Sequence, residues 1–339
     1  MVEAFASVPD LLRLSAVPLL GWAAWRDHLT RRVPSRLWWP LVLLGLGLLA
    51  WEGWRAVTSS PPAGRLYLLR AGVSVGVLVP LAFAFYRFGL VGGADAKAFV
   101  ALGVLFPTYP IYGLGGLTLP LVRPPLGVFS LTAVTNGAIL GLLYPVALAA
   151  RNLADGELSP VALRARRLAW TSLPAAHGRL AETPEGRTLR GLDLDALRMY
   201  LRWRRASLVD LRERPAELRD PSTVPDAPGE PTDGRLDPAE AIDPDADGAG
   251  PPADADPFEW GEEWAYADAW AAEEFLESVG GAYGTTPDQL RSGLELLARA
   301  ERVWVSPGLP YLVPLFLGLA VGLAYGDLLF ALMRAVGLG

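Results

Sequence analysis

The chain has 339 residues, a formal net charge of −6, 52% hydrophobic residues and only 19% charged ones. Its mean hydropathy is +0.28, and the charges crowd into residues 151–302, leaving long apolar runs elsewhere, near the length that crosses a bilayer. No cysteine is present, which excludes disulfides, thiolate nucleophiles, iron–sulfur clusters and cysteine-ligated zinc.

Taken in chain order, candidate spans fall at roughly 9–26, 38–54, 66–88, 97–121, 126–150 and 308–335. The expected fold is therefore all-α: a polytopic membrane bundle of about six transmembrane helices with a cytoplasmic, partly disordered helical insert. The opening Met1 to Phe5 lacks the basic region of a secretory signal, so the first run reads as a retained helix. The loop after it, Arg26 to Arg36, carries Arg26, Arg31, Arg32 and Arg36 and is expected on the cytoplasmic side. Six crossings then put the N-terminus outside, and the segment 89–96 and the insert inside. The fourth run is interrupted by Pro107, Pro110, Gly113, Gly115 and Gly116, and crosses only if neighbours satisfy its freed backbone groups. Gly318, Gly322 and Gly326 in the last run are spaced for close helix packing within the bundle.

The expected domains are a membrane domain over 1–150 with spans one to five, a cytoplasmic insert over 151–302, and a final transmembrane helix over 303–339. Within the insert, 158–214 reads as helical and basic, with an amphipathic run from Leu192 through Leu211. Residues 215–257 are rich in Pro, Asp, Gly and Ala and are expected to be disordered. Residues 258–302 return to helical character, with Trp260, Trp264, Trp270 and Phe275 ahead of a leucine run. The acidic stretch 220–277 reads as a solvated surface.

Acids beside spans are costly and mark functional candidates. Asp10, Glu52 and Asp327 sort to the outer end of their spans. Asp27, at the inner end of the first, and Asp95, at the inner start of the fourth, share one depth. Two carboxylates at one depth suit general acid/base work: one ionised to take a proton from water, the other protonated to polarise a carbonyl. They equally suit structural work, with Asp27 pairing with Arg31 and Asp95 capping its helix. The helix dipoles favour charge on Asp95 and disfavour it on Asp27. His28 and His177 lie far apart, no H-E-x-x-H and no phosphate-binding loop motif occurs, and no metal, cofactor or nucleic-acid partner is expected.

The segment Gly92-Gly93-Ala94-Asp95-Ala96-Lys97 resembles the signature of the type IV prepilin and preflagellin (prearchaellin) peptidases, the A24 family of membrane aspartic peptidases, with Ala94 filling a position that is hydrophobic in archaeal members. Asp27 followed by a short basic stretch and Val33-Pro34 is similar to the family's first catalytic region. Residues 126–152 and 302–328 are similar to archaeal versions, and the middle of the insert lies outside the resemblance. Only Lys97 among 30 basic residues is a lysine, a composition that resembles haloarchaeal proteins.

The resemblance implies an aspartic endopeptidase that removes the basic leader from pilin or archaellin precursors at the cytoplasmic face of the cell membrane. Asp27 and Asp95 then match the catalytic pair. Gly92 and Gly93 lack side chains that would hold a substrate backbone away, and Lys97 points to the face opposite Asp95 and reaches for the interface. Without cysteines, proteolysis carries over and methyl transfer does not. The partners implied are precursor leaders and the lipid bilayer, with the oligomeric state left open. Two other readings stand beside this one. One is a proton-coupled transporter using Asp27 and Asp95 as relay groups; the other is a non-catalytic membrane protein of pilus assembly. A rhomboid-type serine protease would need a histidine near Ser74, and neither His28 nor His177 reaches mid-membrane.

Overall fold

The computed structural model describes residues 5–58, 62–88, 91–157, 159–234, 266–308 and 310–337. In chain order the helices are α1 (Val8–Arg13), α2 (Ala16–Thr30), α3 (Trp38–Thr58), α4 (Ala63–Arg87) and α5 (Gly93–Leu105). A hairpin of β1 (Tyr112–Leu114) and β2 (Leu117–Leu119) follows, then α6 (Phe129–Ala154). Beyond it come β3 (Arg166–Ala169), β4 (Arg179–Leu180), β5 (Glu182–Thr183) and β6 (Gly186–Arg187). Then come α7 (Leu194–Arg204), α8 (Leu208–Glu213), α9 (Pro215–Arg219), α10 (Ala272–Ser278), α11 (Pro287–Leu297) and β7 (Arg302–Ser306). Two further helices close the chain, α12 (Leu312–Ala324) and α13 (Leu328–Ala335). The chain divides into two compact units, residues 1–144 with 310–339, and residues 145–309.

The first unit is a helical membrane bundle. Among the described residues, three helices are long and apolar enough to cross a bilayer, over Ser35–Thr58, Ala63–Arg87 and Phe129–Ala154. At 1.5 Å per residue the 21 residues of α3 reach about 30 Å, the thickness of a hydrocarbon core. The remaining expected spans are broken. The first is split at Leu14–Ser15 between α1 and α2. The fourth, expected over 97–121, is helical only to Leu105. Pro107 and Pro110 cannot donate backbone bonds, and the chain turns back through Gly115 and Gly116, whose φ of +57° and +86° make the hairpin between β1 and β2. The freed end of α5 does not go unsatisfied: Arg13 Nε donates to the Leu105 carbonyl at 2.7 Å.

The last expected span, 308–335, is two helices. Gly326, with φ +114°, lies so close to Val122 that a Cβ would fall 1.8 Å from its carbonyl oxygen. Buried Asn136 bridges the break, its Nδ2 donating to the Gly326 carbonyl at 2.8 Å and its Oδ1 accepting the Leu328 N–H at 2.9 Å. Gly318 packs directly on α6: a Cβ there would stand 2.3 Å from Gly137 N and 2.6 Å from the Ala133 carbonyl. These atoms are backbone on both sides and cannot swing away. Gly318→Val is expected to lower bundle stability by about 1–3 kcal/mol, read as a fall in the unfolding midpoint of the detergent-solubilised protein. Ser74 is fully buried, with its hydroxyl 2.6 Å from the Gly103 carbonyl and 2.7 Å from Ser130 Oγ, and it serves packing between helices.

The second unit has its own core. The amphipathic run expected over 192–211 is realised as α7 and α8, and Leu194, Leu197, Tyr200 and Trp203 are buried with Trp270 and Phe275. From α11, Leu290, Leu294 and Leu297 complete it. A small antiparallel sheet in the order β3-β7-β4 lies against this core, with Val303 and Val305 of β7 fully buried. These short strands were not evident among the arginines of β3. β7 belongs to this unit, so the chain leaves it at 309 rather than at 302.

The segment expected to be disordered from 215 is ordered over 215–234. It holds α9 and is pinned through its carbonyls as well as by Leu218 and Val224, which pack on the core of this unit. Arg204, 3% exposed, donates to the Leu218 carbonyl at 2.7 Å and to Thr223 Oγ1 at 2.8 Å. Arg198 donates from Nε to the Gly234 carbonyl at 2.7 Å and from Nη1 to the Ala176 carbonyl at 2.9 Å. Residues 235–257, and with them most of that expectation, lie outside the described residues, as do Trp260 and Trp264. Arg198→Met would strip the Gly234 anchor, a loss of about 1–3 kcal/mol locally. Amide exchange should accelerate over 224–234 and stay slow in α11.

Candidate active site

The site is assembled from two helix ends. α2 stops at Thr30 because Arg31 turns left-handed (φ 55°, ψ 18°), its N–H donating to the Asp27 carbonyl at 2.9 Å, and because Pro34 disfavours helix at the residue before it. A non-glycine residue in that region costs about 1 kcal/mol, so the turn is held by its surroundings. This ending leaves Asp27 in the last turn of α2, only 8% exposed. α5 starts after Gly92, and Asp95 in its first turn accepts the Gly92 N–H on Oδ2 at 3.0 Å. That is the capping role weighed for Asp95, and it occupies one carboxylate oxygen.

The two ends meet. Arg13, just ahead of α2, bonds the C-terminal carbonyl of α5, so the C-terminus of α2 and the N-terminus of α5 lie together at the other end of the bundle. There Asp27 and Asp95 come within range of each other's charge. Arg31 lies within electrostatic range of both carboxylates. Asp10, Glu52 and Arg13 gather at the opposite end, with Arg13 Nη1 2.8 Å from Asp10 Oδ1.

The remaining predicted positions frame this pair. Gly92 is exposed and has ordinary extended backbone (φ −70°, ψ 162°), so no unusual dihedral requires glycine there. What a side chain would disturb is the carboxylate, since a Cβ would lie 3.2 Å from Asp95 Oδ2. Gly93 abuts Tyr86, Ala94 packs against the bundle core, and Lys97 Nζ donates to Ser35 Oγ at 2.6 Å, tying the start of α5 to the loop that follows α2.

Sequence reasoning missed the contribution of the chain's far end. The Leu312 amide lies near the Asp27 carboxylate, and Tyr311 lies within electrostatic range of Asp95. Tyr311 is placed by an edge-to-face contact with Phe99, ring centroids 5.8 Å apart, one helical turn beyond Asp95. No local signal marks these residues, which reach the site only through the packing of α12 on α2. Asp27 sits at an unfavourable helix end but has the Arg31 cation within electrostatic range, so helix position alone does not assign the proton.

The fold and these side chains define a helical, multi-pass membrane protein with two neighbouring carboxylates at one end of its bundle. Residues 14–146, which contain both, match the type IV leader peptidase family. The chain is also similar to the preflagellin peptidase of Methanococcus voltae, 26% identical over 144 residues. That match covers 42% of this chain, which spans 58% of the relative's length. No solved structure matches.

Proposed function

We propose that this protein is a membrane aspartic endopeptidase that cleaves the basic leader of type IV pilin or archaellin precursors at the cytoplasmic face, with Asp27 and Asp95 activating water. What supports the reading is that these two carboxylates, from helix ends 68 positions apart (95 − 27), lie within range of each other's charge in the segment that matches the leader peptidase family.

The chemistry needs one proton shared between two groups. The ionised carboxylate takes a proton from water as the oxygen attacks the scissile carbonyl. The protonated one donates a hydrogen bond to that carbonyl oxygen and then supplies a proton to the leaving amine. Asp95, with Oδ2 engaged by Gly92, has its other oxygen available for water. Arg31 stabilises the single negative charge, which passes from the pair to the substrate oxygen on attack and returns to the pair when the amine is protonated.

The substrate class follows from the position of the pair. A leader with basic residues just ahead of an apolar helix keeps its charge in the cytoplasm and its helix in the bilayer. Its scissile bond is then held at the interface, and the arginines of the loop following α2 support a cytoplasmic position for the pair, with the N-terminus outside. Co-expression with a pilin precursor tests the reading. Asp27→Asn and Asp95→Asn should each slow the size shift that accompanies leader removal by at least about 10²-fold. Cleavage at the wild-type rate in either variant removes that residue from the mechanism.

A further inference from the structure

We propose that the edge of the second unit carrying Leu163, Leu189 and Arg187 rests on the bilayer that α6 crosses, with its leucines at the acyl-chain boundary and its arginines on anionic lipid headgroups. Leu163 is 61% exposed and Leu189 is 79% exposed, in a unit whose core, among the described residues, buries thirteen leucines. The two lie on adjacent loops, because Arg164 Nη2 donates to the Thr188 carbonyl at 3.2 Å. Both loops are fixed by one small core of Val161, Ala162, Ala165, Ala181 and Trp304, so the pair is a preformed surface feature.

The edge is joined to the last turn of α6 by bonds that lie within this unit. Asn152, in the last turn of that helix and 4% exposed, donates from Nδ2 to the carbonyls of Ala162 at 2.7 Å and Ala165 at 2.8 Å. The loop bearing Leu163 is thereby bonded to the end of a helix long and apolar enough to cross a bilayer. Leu153, beside Asn152, is 60% exposed and extends the apolar edge back onto α6.

The charge matches that occupant. Between residues 151 and 192 arginines outnumber acids seven to four, in a chain whose overall charge is −6. Arg187 and Arg190, both exposed, flank Leu189, with Glu185 the acid at the tip of the β5–β6 hairpin. Exposed leucines rimmed by arginine next to a span are the pattern of an interfacial contact with anionic lipid.

The absence of cysteine makes a direct test simple, since any cysteine introduced is unique. Nitroxide labels would be placed at Leu163→Cys, Leu189→Cys and, as a water-exposed control, Asp288→Cys, whose native side chain is 91% exposed. The full chain would be held in nanodiscs of mixed anionic and zwitterionic phospholipid. Labels at 163 and 189 should collide with dissolved oxygen in several-fold preference to a water-soluble nickel chelate, relative to the label at 288. In the Leu189→Cys background, Arg187→Gln with Arg190→Gln should reduce that preference in anionic discs and leave it nearly unchanged in purely zwitterionic ones. Labels at 163 and 189 as water-accessible as the control overturn the proposal. So does spin–spin broadening that disappears on dilution with unlabelled protein, which would show a second copy on this edge. Immersion indifferent to both lipid charge and the arginines overturns the headgroup assignment.

Discussion

Asp27→Asn combined with Asp95→Asn should be no less active than the worse of the two single variants. Each single change is expected to reduce leader cleavage by about 10²–10⁴-fold, the usual loss when a positioned acid or base is removed. The double variant should fall within the same range rather than at the product of the two losses. On the proposed mechanism the two carboxyls share one proton: once either is an amide, the remaining one has no partner with which to alternate between acid and base. Groups that act as a unit are grossly non-additive when deleted. Quantifying cleaved and uncleaved precursor against time for the three variants checks this. Multiplicative losses would show that the two residues act independently, as a base and an unrelated structural acid. The proposal also separates the roles of neighbouring positions. Gly92→Ala places a methyl 3.2 Å from Asp95 Oδ2, so it acts through the carboxylate.

The two ends that carry Asp27 and Asp95 were legible in the sequence because helix termination is local. Pro34 stops α2 within a turn of Asp27, and Gly92 and Gly93 open α5 just before Asp95. The long runs of α3, α4 and α6 were equally legible, since apolar length alone defines them. The path after Leu105 was not. A run with 25 mostly apolar residues over 97–121 satisfies the same length criterion, and only Arg13, more than 90 positions away, shows where the helix is capped. The order of 215–234 was invisible for a related reason. Composition measures how much apolar surface a segment can bury, and this one is held in part by guanidinium groups of α7 bonding its carbonyls. Tyr311 and the Leu312 amide reach the carboxylates only through tertiary packing, which no local pattern encodes.

The largest loss of stability should come from the opposite end of the bundle. Arg13 is 1% exposed and faces two acids, Asp10 at 2.8 Å and Glu52 through both of its carboxylate oxygens, while its Nε serves the Leu105 carbonyl. Tyr67 and Ser7 complete the network, Ser7 Oγ donating to Asp10 Oδ2 at 2.7 Å and Tyr67 OH lying 3.4 Å from Glu52 Oε2. Arg13→Met removes the only cation in this cluster among the described residues and leaves two carboxylates facing each other in a buried setting. Breaking such a network by deleting one partner costs about 3–5 kcal/mol. Most of that cost is the uncompensated charge, so adding Asp10→Asn and Glu52→Gln to Arg13→Met should restore a large part of it. Arg13→Lys should fall between, because an ammonium group cannot grip Glu52 with two parallel bonds and also reach Leu105. Unfolding midpoints of the four proteins in one detergent would give the order wild type, triple variant or Arg13→Lys, then Arg13→Met. A triple variant as unstable as Arg13→Met would mean that the lost contact with the end of α5, rather than stranded charge, sets the cost. That outcome would make Arg13 chiefly the cap of the helix that carries Asp95.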